Sequence, residues 1–166
     1  MGHVWLIGLM GSGKNTVGVH LAERLDQPFY DLDARVEEGY GRSVSDLFFI
    51  EGESEFRRLE SEALSTIAAE PDGVVATGGG SILVDGNTST MRDHGIVVLL
   101  DVTAETAAGR IAEGGTRPLL TGDSLDTLSD MLTDRIAAYR SAAQVIVDGN
   151  DDIATVVGRV VEACDM

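Results

Sequence analysis

The sequence predicts a doubly wound α/β domain: three layers, with a five-stranded parallel sheet flanked by helices. Three observations carry this. Short apolar runs recur along the chain, continuous rather than alternating, as strands buried on both faces read. Stretches with apolar residues at helical spacing separate them. The first run ends in a glycine-rich loop, Gly8-Leu9-Met10-Gly11-Ser12-Gly13-Lys14-Asn15-Thr16, close to the G-x-x-x-x-G-K-[ST] phosphate-loop pattern.

The elements follow in order. Residues 3–8 are apolar and end in Gly, which predicts the first strand. A helix is expected over about 14–25, with Val17, Leu21 and Leu25 on one face. Pro28-Phe29-Tyr30-Asp31 reads as a second short strand. Helical patterns occupy about 33–40 and 44–50, with Ser43 as N-cap of the latter and Asp46 at the capping-box position. A longer helix over about 53–69 carries Phe56, Leu59, Ala63 and Ile67 as its apolar stripe. Residues 73–77 predict a third strand, closed by Gly78-Gly79-Gly80, and 96–100 a fourth. A helix over about 103–112 leads into a Gly-, Thr- and Pro-containing stretch, 113–124, that reads as mobile. A helix over about 125–141, a strand over 144–148 and a helix over about 152–163 complete the pattern.

The bulk composition bounds the function. A length of 166 residues suits one domain, 1–166, with one sizeable core. A net charge of −16 disfavours nucleic acid and anionic membranes as partners, and basic runs are absent. An anionic substrate therefore needs a local basic pocket. The single cysteine, Cys164, cannot form an internal disulfide and fits a reducing compartment. No signal-like segment or bilayer-length apolar stretch is evident, so the expected location is the cytoplasm.

Lys14 is the only lysine; the remaining basic residues are arginines. An ammonium is a compact charge that fits between the β- and γ-phosphates of a nucleotide, where a flat guanidinium fork does not. Backbone N–H groups and the positive end of the following helix complete a phosphate cradle. The alternative is a glycine-rich strand-to-helix turn with a chance lysine.

Two more polar features lie at predicted strand ends, where ligands bind in open α/β sheets. In Asp31-Leu32-Asp33 an extended backbone would send both carboxylates to one face, one for a metal shell and one for an acceptor hydroxyl. Equally, they could cap the helix that follows. Thr77-Gly78-Gly79-Gly80-Ser81 suits close approach of a ligand to the main chain, or a loose surface turn. Arg57 and Arg58 sit about 100° apart around their helix, so only one can face a pocket, and Arg57 adjoins the buried stripe at Phe56. Arg117, Arg135 and Arg140 are further candidates for binding carboxylate and phosphate.

Phosphate loop, Asp-Leu-Asp, Phe-Arg-Arg, triple glycine and Arg-Pro-Leu-Leu at 117–120, in this order, resemble the shikimate kinases over residues 4 to about 160. The resemblance implies a fold like that of the nucleoside monophosphate kinases, with a substrate-binding segment at about 31–62 and a lid at about 112–124. It implies ATP-dependent phosphorylation of the shikimate 3-hydroxyl, with Mg²⁺, by a monomer. By matching position, Lys14, Asp33 and Arg117 are the catalytic candidates. Gly11, Ser12, Gly13, Lys14, Asn15, Thr16, Arg110 and Arg117 would hold ATP. Arg57 and Arg135 would clamp the acceptor carboxylate. Asp33, Gly78, Gly79 and Gly80 would hold the rest of the acceptor, and Phe48 and Phe56 would wall its ring. Asn15 and Asp31 would serve the metal.

Two departures stand out. Asn15 replaces the Ser or Thr whose hydroxyl binds magnesium, and residues 148–152 carry acids where many members have an arginine against the adenine. A related kinase for another hydroxy acid such as gluconate, and an impaired nucleotide-binding homologue, are the competing readings.

Overall fold

The computed structural model describes residues 2–114 and 124–166. In chain order the elements are β1 (His3–Ile7), α1 (Lys14–Leu25), β2 (Phe29–Asp31), α2 (Leu32–Tyr40), α3 (Val44–Glu51), α4 (Glu53–Ala68) and β3 (Val74–Ala76). A single 3-10 turn, Ser81–Leu83, follows. Then come α5 (Asn87–Asp93), β4 (Gly95–Asp101), α6 (Ala104–Gly114), α7 (Ser124–Ala142), β5 (Val145–Asp148) and α8 (Ile153–Ala163). The sheet is parallel, in the order β2-β3-β1-β4-β5.

The continuous apolar strands have a direct cause. Successive side chains of a strand point to opposite faces, and here both faces are covered. Trp5 and Ile7 of β1 pack with Leu64, Ile67, Met91 and Tyr139 on one side. Val4 and Leu6 pack with Val17, Leu21, Val156 and Val160 on the other. Helices α4, α5 and α7 thus cover one face, and α1 and α8 the other.

Strand order positions the site. β1 lies at the centre, between β3 and β4, and the chain crosses from one side of it to the other between those two strands. Their C-terminal ends border a crevice at the switch of direction, the usual ligand site of this architecture. The Thr77 backbone N–H and hydroxyl both donate to Leu6 O, at 3.1 and 2.9 Å, which fastens the triple-glycine turn beside the phosphate loop.

The expected elements are present with small shifts at their ends. Ser43 caps α3 by accepting from Asp46 N. Two expectations need correction. Residues 81–95 carried no assigned element before the fourth strand, yet hold the 3-10 turn and α5; Asn87-Thr88-Ser89-Thr90 has poor helix formers and little apolar periodicity. Met91, fully buried, and the Asn87 amide, donating to Ser81 O, fix that segment through tertiary contact. The Asp31-Leu32-Asp33 backbone does not stay extended past Asp31. The helix begins at Leu32, so Asp31 is its N-cap and Asp33 lies in its first turn. The shared-face argument therefore fails, and capping is what Asp31 does here. Residues 115–123, which include Arg117 and most of the expected lid, lie outside the described residues.

Two glycine substitutions should move stability in opposite directions. A methyl at Gly95 would overlap the His3 main chain where β4 pairs with β1, whereas one at Gly158, inside α8, meets open space. We expect Gly95→Ala to lose about 1–3 kcal/mol and Gly158→Ala to gain about 0.5–1 kcal/mol. Urea denaturation of both variants checks this.

Candidate active site

The phosphate loop is built for an anion. Gly8, Gly11 and Gly13 all have positive φ, and at Gly11 any side chain would strike Ala107 O of α6. Gly13 precedes α1 and Lys14 begins it. The Lys14 ammonium is buried and donates to Gly8 O at 2.8 Å and Leu9 O at 3.0 Å. The loop's own carbonyls thus hold the charge at its centre. Ser12 is buried, with its N–H donating to Leu9 O, while Asn15 and Thr16 face solvent on the first turn of α1.

Arg110 braces the loop from α6. One guanidinium nitrogen donates to Ser12 O at 3.1 Å, and another to Gly149 O at 2.7 Å and Asp151 O at 2.9 Å. The phosphate loop and the segment after β5 are therefore tied together. The acids of that segment are occupied locally. Arg159 pairs with Asp151, and Asp148 accepts from the Asn150 main chain and side-chain amide, which holds its carboxyl below the usual range.

Beside the loop, the three glycines are hemmed in by charged side chains. A methyl at Gly78 would overlap the Glu60 carboxylate, and its third nearest neighbour is Asp33 Oδ1 at 3.3 Å. A methyl at Gly80 would overlap the Arg57 guanidinium. A methyl at Gly79 would lie 3.5 Å from Met10 N and 3.7 Å from Arg135 Nη1. So Asp33, Arg57 and Arg135 converge on one turn that also abuts the phosphate loop. Of the adjacent arginines, Arg57 faces inward, and Arg58 points outward between Glu55 and Glu62. Arg140 lies apart, near Asp101 at the end of β4.

Sequence reasoning missed two residues that set this geometry. Glu60 is fully buried; Oε2 accepts from Arg57 at 2.8 Å and Oε1 from the Ser81 hydroxyl at 2.6 Å. Tyr139, also buried, donates to Gly79 O, which Arg135 Nη1 reaches at 3.3 Å. Burial pushes the Tyr139 phenol above its ordinary value, against the pull of Arg135 and Arg57, so it remains a protonated donor. The signal available was spacing. Arg57 and Glu60 are three apart, and Arg135 and Tyr139 four apart, on helices where such residues are neighbours.

An apolar wall adjoins the charges. The Phe48 and Phe56 ring centroids are 5.4 Å apart, and the Arg57 guanidinium carbon lies 5.2 Å from the Phe56 ring. Phe56 is buried and Phe48 is exposed.

Asp31 closes the far side. Oδ1 accepts from Asp33 N at 3.0 Å and Ala34 N at 3.2 Å, and Oδ2 accepts from Asn15 Nδ2 at 2.5 Å. Among the described residues no cluster of three or more His, Cys, Asp or Glu side chains could hold a metal. Mg²⁺ is commonly bound by one or two carboxylates, waters and substrate phosphates rather than by a protein cage. The oxygen donors at Asp31 and Asn15 fit that pattern.

A protein-family model described as shikimate kinase matches residues 10–165. A shikimate kinase of Salinibacter ruber is 41% identical, over 96% of this chain and 82% of that one. The crystal structure of a shikimate kinase from Bacteroides thetaiotaomicron superposes with a TM-score of 0.93, at 32% identity over 99% of both chains. A shikimate kinase from Acinetobacter baumannii, in complex with shikimate, gives 0.91 at 34% identity, over 98% of this chain and 92% of that one.

Gly80→Ala should drive its methyl into the Arg57 guanidinium. Calorimetric titration is expected to show a carboxylate-bearing acceptor binding at least about tenfold more weakly, with ADP affinity unchanged. Equal losses for both ligands would mean general damage to the fold.

Proposed function

This chain belongs to the shikimate kinase family, and we propose on that premise that it phosphorylates the 3-hydroxyl of shikimate with ATP. The product would be shikimate 3-phosphate, on the route to chorismate and the aromatic amino acids. The observation that supports this most is the placement of Arg57 and Arg135 against adjacent glycines of one turn, with Asp33 beside them and the phosphate loop adjoining. Such a pocket suits an acceptor that carries both a carboxylate and hydroxyls. The working unit is proposed as a single-domain monomer in the cytoplasm. No described helix is long and apolar enough to cross a membrane.

Phosphoryl transfer needs positioning and neutralisation of spread negative charge more than covalent help from the protein. Lys14 meets the β- and γ-phosphates, with the N–H groups of Gly11 and residues 13–16 around them. Arg110 lies on the adenine side of the loop. Arg57 and Arg135 grip the acceptor carboxylate as charge-assisted donors. Glu60 holds Arg57 in place, so little side-chain freedom is lost on binding. Asp33 accepts from the acceptor hydroxyl, turns its lone pair towards the phosphorus and can take its proton. The main chain of Gly78, Gly79 and Gly80 lets the ring approach, and Phe48 and Phe56 cover its apolar side. Arg117 is the candidate to reach the transferring phosphate when the lid closes and excludes water. Asp31, through water, and Asn15, through its amide oxygen, are the residues to hold Mg²⁺, which when bound shields the phosphate charge.

A coupled assay with ATP and magnesium tests the function. ATP consumption is expected only with shikimate, and not with gluconate or without acceptor; turnover on gluconate alone would favour the hydroxy-acid alternative. Lys14→Met should lower kcat at least about a hundredfold while leaving the fold intact by circular dichroism. Asp33→Asn should reduce kcat far more than ADP affinity, and comparable losses in both would remove it from the chemistry.

A further inference from the structure

The bond between Asn15 and Asp31 links two first turns that otherwise belong to different jobs. Asn15 is the second residue of α1, beside the lysine of the phosphate loop. Asp31 caps α2, and one of the two N–H groups it caps is that of Asp33. With Oδ1 committed to Asp33 N and Ala34 N, the direction of Oδ2 is set, and it points at α1. The Asn15 amide meets it through nitrogen. The chemistry demands that orientation, because an amide oxygen turned towards an ionised carboxylate would set two acceptors against each other. A serine or threonine hydroxyl at this position is one bond shorter than the amide and reaches less far towards Asp31.

We propose that Asn15 is a clamp that competes with the metal: its amide occupies the Asp31 oxygen that a magnesium-bound water would otherwise take. The inference rests on the kinase reading above. Two consequences follow from the geometry. The metal enters only by displacing a hydrogen bond to a charged group, so more magnesium is needed to tighten nucleotide binding than a hydroxyl residue would require. In exchange, Asp31 keeps its capping orientation without metal, and the first turn of α2, with Asp33, is held ready. Asn15 is in this sense a positioning residue that sets metal dependence, and its amide turns over only when Asp31 lets it go.

The test reads binding. ADP is titrated into the natural chain, Asn15→Ser and Asn15→Thr across free magnesium concentrations, with a chelated control. The two hydroxyl variants should reach half of the magnesium-induced tightening at about tenfold less metal than the natural chain. The side-chain NH₂ resonances of Asn15, assigned by their loss in Asn15→Ser, should shift when magnesium is added to the ADP complex. They should stay in place when ADP is added with chelator. Magnesium curves that coincide for all three proteins, or an Asn15 amide signal unmoved by magnesium, would overturn the clamp. Shikimate-dependent ATP consumption by the natural chain is measured alongside. Its absence would remove the kinase reading, whereas coincident metal curves beside normal turnover would remove only the clamp.

Discussion

Everything at the active end of this protein depends on the central strand His3–Ile7 being paired in parallel on both edges, with Val74–Ala76 on one side and Gly95–Asp101 on the other. Parallel pairing brings the C-terminal ends of all three to the same edge. The phosphate loop and the triple glycine thereby become neighbours although some seventy residues separate them in the chain. That arrangement holds only because both faces of the strand are apolar and covered. A helix missing from either face would leave Trp5 and Ile7, or Val4 and Leu6, in water.

On this frame the acceptor side is organised by one buried carboxylate. Glu60 has no exposure, and its two oxygens are divided between the Arg57 guanidinium and the Ser81 hydroxyl. Placing an ion pair out of water costs desolvation that the mutual attraction does not reliably return. The pair is better understood as a positioning device than as a source of stability. It presses a cation against Gly80, where an added methyl would displace the guanidinium, and it ties α4 to the turn after β3.

Charge is arranged at two scales. The chain carries −16 overall, which repels anions from most of its surface. Within the crevice the balance reverses locally, with Lys14, Arg57, Arg110 and Arg135 arrayed around the phosphate loop and the glycine turn. All four cations are already engaged by the protein's own acceptors: loop carbonyls for Lys14, Ser12 O for Arg110, Glu60 for Arg57 and Gly79 O for Arg135. Preorganisation of this kind spares a ligand part of the cost of ordering long side chains. The acids that replace an expected arginine after β5 do not disturb the balance, because Arg159 and Asn150 occupy them.

The order of strands and helices, the phosphate loop and the inward-facing arginine were legible in the sequence. Each rests on a local rule: apolar periodicity, a glycine-lysine pattern, or the angle between adjacent helical residues. Family resemblance added which chemistry those pieces serve. Three features needed the folded chain. Helix α5 forms because Met91 and Asn87 are buried by neighbours remote in sequence, against weak propensity. Asp31 turns out to cap a helix, since capping depends on where the backbone bends, which alternation along a presumed strand cannot tell. Glu60, Tyr139 and the Asn15 amide acquired their roles from partners that only packing supplies. Local periodicity thus determined what the segments are, and the meeting of distant segments in a crowded, water-poor crevice decided what their polar side chains do.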